Sequence, residues 1–208
     1  MCSSYGLGGY LPDGEEPRNP IRPLDQPEAE RAIAEWAQGW DGSALITGSR
    51  ARNLNPIIRA GTGDRELVFA WWWIWLDPSG PVKFSAFNSR DDNLMRRWRR
   101  PFQQRALLPV SWYVEKKGRF ALPSGEQFGI AAVTSTVTTD DGKLTTYSMV
   151  TRGAPAGSEA AEYWPRMPLV LPREMHDDWL DTARPGNTEL VAYAQAASED
   201  ISRELTAG

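Results

Sequence analysis

Residues 128–150 read FGIAAVTSTVTTDDGKLTTYSMV. Phe128–Thr138 and Leu144–Val150 read as strands, and Asp140-Asp141-Gly142 between them reads as a hairpin turn. That unit puts a sheet at the centre of the fold. Working outward, Leu107–Glu115 reads as a strand, and so does Val82–Phe87, set off by the turn Asp77-Pro78-Ser79-Gly80. Glu66–Leu76 contains the run VFAWWWIWL over residues 68–76; Val68, Ile74 and the tryptophans suit a strand buried on both faces. Ala44–Thr47 is a short extended run. Helices flank these strands. Pro27 fits the first turn of a helix to Trp40, with Ala29, Ile33, Trp36 and Trp40 at helical spacing and Gly42 as its stop. Asp91–Arg100 reads as a short basic helix with Leu94, Met95 and Trp98 on one side. Pro172–Leu180 and Thr188–Leu205 read as two more helices. Residues 6–27 and 153–160 read as irregular segments. No internal repeat or clear linker divides the chain. The expectation is one α+β domain over residues 1–208, with mixed or antiparallel, barrel-like sheets flanked by short helices.

Composition narrows the function. The chain has 208 residues, of which 41% are hydrophobic, enough for a substantial core. Ten tryptophans favour half-buried platforms and binding surfaces. One cysteine, Cys2, excludes an internal disulfide framework and a multi-cysteine metal site. One histidine, His176, excludes a histidine-rich zinc site, so neither metal nor cofactor is expected. The first twenty residues show no signal peptide, and the longest apolar run is too short to cross a bilayer. A soluble, cytoplasmic protein without a membrane partner is expected. Net charge is −4, but Lys83–Arg119 holds ten basic residues against Asp91, Asp92 and Glu115. That segment is +7 and the remainder −11. Such a patch can bind phosphates, although charge alone fits a solvated helix face somewhat better.

Cys2 follows the initiator Met1. Removal of Met1 would leave a free α-amine and a thiol on adjacent carbons, both with reference pKa values of roughly 8 to 8.5. A 1,2-aminothiol condenses with an aldehyde to an imine, and the thiol then closes on the imine carbon to a thiazolidine. An incidental cysteine at a frayed terminus fits the position equally well.

Four internal blocks join the Met-Cys start in a resemblance. Asn88-Ser89-Arg90-Asp91-Asp92-Asn93, the strand Arg105 to Lys116, Asn53-Leu54-Asn55-Pro56 and Tyr163-Trp164-Pro165-Arg166-Met167-Pro168-Leu169-Val170-Leu171 occur in the order and spacing of a known family. The chain resembles the SOS-response-associated peptidase (SRAP) family from Cys2 to Leu171. The family begins Met-Cys-Gly-Arg-Tyr/Phe; Cys2 and Tyr5 match, while Ser3 and Ser4 depart. Asn88 and Arg90 fit its Asn-Ala-Arg-x-Glu-Thr block. Arg105, Leu107, Pro109, Tyr113 and Glu115 fit its Arg-Cys-Leu-x-Pro-Ala-x-Gly-Tyr-Tyr-Glu-Trp strand, with Trp112 and Lys116 as departures. Arg166, Met167 and Pro168 fit its Ile-His-Asp-Arg-Met-Pro block, but Trp164 stands at the His and Pro165 at the Asp.

The resemblance implies a protein that shields abasic sites in single-stranded DNA by a covalent thiazolidine crosslink, with autoproteolytic or aminopeptidase removal of Met1. It implies Cys2 as nucleophile, Asn88 as a hydrogen-bonding partner of the opened sugar, and Glu115 as proton shuttle. Arg90 and Arg166 would meet phosphates, and Trp72, Trp73, Trp112 or Trp164 would meet bases. A nucleoid-associated monomer is implied. Trp164 cannot act as an acid or base, because its indole only donates a hydrogen bond. The expected consequence is slow crosslinking or poor reversal. Two other classes remain in play. One is an N-terminal-nucleophile amidohydrolase, for which the Asn-Gly and Arg-containing glutamine-pocket motifs are missing. The other is a degenerate SRAP fold that binds single-stranded DNA or a protein without chemistry.

Overall fold

The computed structural model describes residues 2–8, 18–46 and 53–208. Its strands in chain order are β1 (Ser4–Gly6), β2 (Ser43–Leu45), β3 (Leu54–Ala60), β4 (Arg65–Trp71), β5 (Asn88–Arg90), β6 (Arg105–Val110), β7 (Trp112–Glu115), β8 (Gly118–Ala121), β9 (Phe128–Thr139), β10 (Gly142–Gly153), β11 (Arg166–Pro168), β12 (Val170–Leu171) and β13 (Thr206–Ala207). The helices are α1 (Pro27–Trp40), α2 (Glu159–Tyr163), α3 (His176–Leu180) and α4 (Thr188–Glu204). The architecture is α+β, as expected, with short helices around two sheets.

The hairpin at the centre of the sequence is the spine of the larger sheet. Thr139 pairs Gly142 across the turn, and the antiparallel register runs to Ala132 opposite Met149. Gly142 takes φ 108°, a backbone conformation that a side chain disfavours. From β10 the sheet continues through β4, β3 and β6 to β9, and β9 pairs β10 again. Five strands therefore close into a ring with no free edge along that path. The step from β10 to β4 is parallel, at Thr146 and Trp71, and the other steps are antiparallel. β6 lies between β3 and β9, and all six of its residues are buried. The second sheet has the order β13-β8-β7-β1-β2, all antiparallel.

Several expected elements take a different form. The expected strand over Leu107–Glu115 is two strands in different sheets. Ser111 sits between them, and its N–H bonds Gly6 O at 2.7 Å instead of continuing the β6 ladder. The apolar run leaves β4 at Trp71. Trp73 N–H turns back onto Trp71 O, and the Trp72 and Trp73 indoles donate to Phe87 O and Val82 O. Val82–Phe87 forms no strand: Phe87 O accepts from Met149 N–H of β10 as well, at 2.9 Å, and strand pairing starts only there, at Asn88. Asp91–Arg100 is a 3-10 turn over Asp91–Asn93 followed by turns rather than a helix. Asn93 O collects the N–H groups of Arg96, Arg97 and Trp98, and Leu94 and Trp98 bury as anchors. Pro172–Leu180 splits into a 3-10 turn at Arg173–Met175 and α3.

The helix α1 buries Ala29, Ile33, Trp36 and Ala37, while Trp40 at its end is exposed. Asp41 then takes φ 53° and stops it one residue before Gly42. Thr47, the irregular residues 9–17 and the expected loss of Met1 lie outside the described residues. Among the described residues, no helix is long and apolar enough to cross a membrane.

Candidate active site at Cys2

The register of the second sheet positions the thiol. β1 pairs β7 with Ser4 opposite Val114 and Tyr5 opposite Tyr113, so the chain entering β1 runs beside the end of β7, where Glu115 lies. Gly6 lies opposite Trp112, and a side chain there would overlap the Trp112 ring. β1 is thus held close against β7. From the other side, β5 pairs with β10 in parallel, and its first residue, Asn88, donates from Nδ2 to Cys2 O at 2.9 Å. Three segments far apart in sequence therefore meet at one point: the chain before β1, the start of β5 and the end of β7.

The site is closed. Cys2 is 0% exposed, and its Sγ donates to Ser4 O at 3.3 Å. Burial pushes the thiol up to about 12, and the charge of Glu115 pushes the same way, while backbone groups of Ser4 and Val114 oppose them. Glu115 is buried as well. Asn88 Oδ1 is buried without a hydrogen-bond partner, and so is the Tyr113 hydroxyl. Burial holds the Tyr113 phenol neutral, with smaller contributions from Cys2 and Glu115. Tyr113 stacks on Phe120 with ring centroids 5.1 Å apart. Sequence reasoning matched Tyr113 to the family without giving it a place in the site; the β1–β7 register is the signal that would have done so.

The acceptor and donor inventory defines what this arrangement can do. A neutral thiol needs a base within reach before it attacks an electrophile. Glu115 is the carboxylate whose charge Cys2 feels. The Asn88 amide fixes the Cys2 main chain and keeps a second polar atom free of partners. Trp164, at the end of α2, lies under Lys116, whose Nζ is 3.8 Å from the ring centroid. Trp164 thus contacts the residue that directly follows Glu115. His176 lies elsewhere. Its Nε2 bonds Leu171 O at 3.1 Å in the core, and burial lowers it to about 4.

The expected DNA-binding side chains are mostly engaged inside the chain. Trp72 is 1% exposed, stacks on Tyr147 at 5.9 Å and meets Tyr5 at 5.1 Å; a base cannot reach it while this core is closed, which corrects that expectation. Trp73 is half-buried against Phe87. Trp112 is covered by Gly6 on one side and has Arg119 4.3 Å from its ring centroid. Arg90 holds Asp92 with two hydrogen bonds, the shorter 2.5 Å. Arg166 donates to Asp91 at 2.8 Å and to Thr151 O at 2.5 Å, and Gln195 of α4 takes the other Asp91 oxygen at 2.6 Å. Arg166 therefore braces β11, β10 and α4 around a buried carboxylate instead of presenting a free cation. Among the described residues, no group of three or more His, Cys, Asp or Glu side chains is placed to hold a metal ion.

The same fold is found in solved bacterial proteins. A protein from Bordetella bronchiseptica superposes with a TM-score of 0.63 at 19% identity, covering 91% of each chain. One from Bacteroides thetaiotaomicron gives 0.63 at 17%, covering 93% of this chain and 86% of its own. A phage-related protein from Bordetella bronchiseptica gives 0.54 at 18%, with 80% and 81% covered. No curated protein matches. The family model for SOS response associated peptidase (SRAP) matches residues 47–206, and the chain belongs to that family. Cys2 precedes the matched residues, so its place in the site rests on the geometry above.

Proposed function

We propose that the chain, once Met1 is removed, captures ring-opened abasic sites in single-stranded DNA through Cys2. The observation that carries this reading is the Asn88 amide on the Cys2 carbonyl, in the same buried site as Glu115. The free α-amine of Cys2 adds to the sugar aldehyde and expels water as the imine forms. The thiol then adds to the imine carbon, its proton passes to the nitrogen, and the thiazolidine closes. Glu115 carries that proton, and Asn88 orients the Cys2 main chain. Trp164 offers no proton for reopening the ring, so the adduct persists.

The test mixes purified protein with single-stranded DNA holding one abasic site, followed by denaturing gels and intact mass measurement. A heat-stable adduct on the Met1-less protein, absent in Cys2→Ala, is expected, with faster release from a Trp164→His variant. An undiminished adduct in Cys2→Ala would overturn the assignment. The full burial of Cys2 favours a second reading, a family member that holds single strands without chemistry. Its signature is salt-sensitive binding with no adduct, unchanged by Cys2→Ala.

A further inference from the structure

The turns that replace the expected basic helix leave an arginine cluster with an aromatic floor. Arg96, Arg97, Arg99 and Arg100 are all exposed, and none forms a salt bridge among the described residues. They contrast with Arg90 and Arg166, which intrachain carboxylates already hold. The cluster is fixed in place. Trp98 at its middle and Leu94 before it are buried, and Phe102 N–H bonds Trp98 O at 2.8 Å. Phe84 rests 6.0 Å from the Trp98 ring and remains 40% exposed. The guanidinium of Arg97 lies 4.6 Å from the Phe84 centroid. Lys83 beside it is exposed too. No acidic residue occurs between Asp92 and Glu115. Asp77 is the carboxylate that feels Arg100, outside salt-bridge distance; the chain elsewhere is acidic, so this concentration of cations without a salt bridge is not a general property of its surface.

Guanidinium groups bind phosphates, and an exposed ring capped by arginine accepts a base face. Position links this surface to the thiol site. Asn88 is four positions after Phe84, so their backbones are at most about 14 Å apart. We propose that Phe84, Arg96, Arg97, Arg99 and Arg100 form a platform for the nucleotides flanking the lesion, a single-stranded DNA surface outside the covalent pocket. The proposal rests on the DNA reading above and adds where the undamaged strand lies.

The test is anisotropy of an undamaged, labelled oligothymidylate with the full chain, over a salt series, so that it reads binding without chemistry. Replacing the four arginines with glutamine should weaken binding by at least about tenfold and flatten the salt slope by about 2 to 3, since each single-strand phosphate contact contributes roughly 0.7. Phe84→Ala should weaken binding by about fivefold, the lower end expected for one stacked base. A four-lysine variant should keep most of the slope, which separates lost charge from lost folding. Unchanged affinity and slope in the glutamine variant would overturn the proposal. Equal competition by polyglutamate, with no effect of Phe84→Ala, would also overturn it, because the surface would then read only charge. Adduct yield on abasic DNA is scored separately. Arginine-dependent binding without an adduct removes the covalent reading and leaves this one standing. An adduct whose yield is unchanged by the glutamine variant, with an unchanged slope, does the reverse.

Discussion

The thiol of Cys2 should react with a disulfide reagent far more slowly in the folded chain than in the same chain unfolded in urea. Its pKa rises from 9.0 to about 12, mainly through burial and next through Glu115. At pH 8 that shift lowers the thiolate fraction by about a thousandfold. A more basic thiolate is also a stronger nucleophile. With a Brønsted slope near 0.4–0.5, three units return about twentyfold. The net slowing is about fiftyfold before any steric exclusion. Ellman's reagent measures it directly, from the rate of thionitrobenzoate release against pH. The folded rate should keep rising tenfold per unit past pH 9, where the urea-unfolded chain levels off. Glu115→Gln should raise the folded rate, because it removes the second cause of the shift. A folded rate equal to the rate in urea, or a plateau near pH 9, would refute the reasoning, since the thiol would then be neither desolvated nor close to a carboxylate.

Acid sensitivity should come partly from His176. Its folded pKa of about 4 lies below the reference 6.5, so the stability it contributes is whole above pH 6.5 and is lost as pH falls toward 4. Between pH 7 and pH 5 this amounts to about 2 kcal/mol, and urea titrations of a His176→Gln variant should show a shallower loss over that interval. Gly129→Ala should destabilise by about 1–3 kcal/mol, because its new Cβ would sit 2.6 Å from His176 Nε2; a His176→Ala background should relieve much of that cost. Arg105→Lys should lose about 3–5 kcal/mol in urea unfolding, since one buried guanidinium holds the carbonyls of Phe102, Trp179, Asp181 and Arg184, which an ammonium cannot span.

Features written in local chemistry were legible in the sequence. The Asp140-Asp141-Gly142 turn and its two flanking runs gave the central hairpin, and Pro27 and the spacing of Ala29, Ile33 and Trp36 gave α1. The tryptophan run was not legible as a bend. Hydrophobicity does not distinguish a ladder from a turn whose indoles bond Phe87 O and Val82 O, fifteen and nine residues away. Nor does Ser111 announce that the chain changes sheets there, because the competing partner is Gly6 O, 105 residues earlier. At the site, the family resemblance named Cys2, Asn88 and Glu115, and the fold brings the three together. Arg90 and Arg166 could not. Their roles are set by Asp92 and Asp91, and nothing in the local pattern shows that Asp91 is buried between Arg166 and Gln195. The basic helix failed for a related reason. Leu94 and Trp98 were read correctly as its buried side, but Asn93 O draws three N–H groups to itself and the repeat of helical bonds never starts.

The strand that carries Cys2 into the site is three residues long, pairing β2 on one side and, more than a hundred residues away, β7 on the other, whereas the ring is laced by a hairpin of twelve-residue strands. Contacts of such long separation form late in folding, after the local hairpins are in place. They also open first, because local unfolding starts where few bonds must break. The ring is thus a lasting scaffold, and β1 is a hatch on its side. Amide exchange should show Tyr5 and Gly6 trading hydrogen well before Ala131 and Val133. Access to the thiol is then governed by how often three residues peel away, at a fraction of the free energy needed to unfold the barrel.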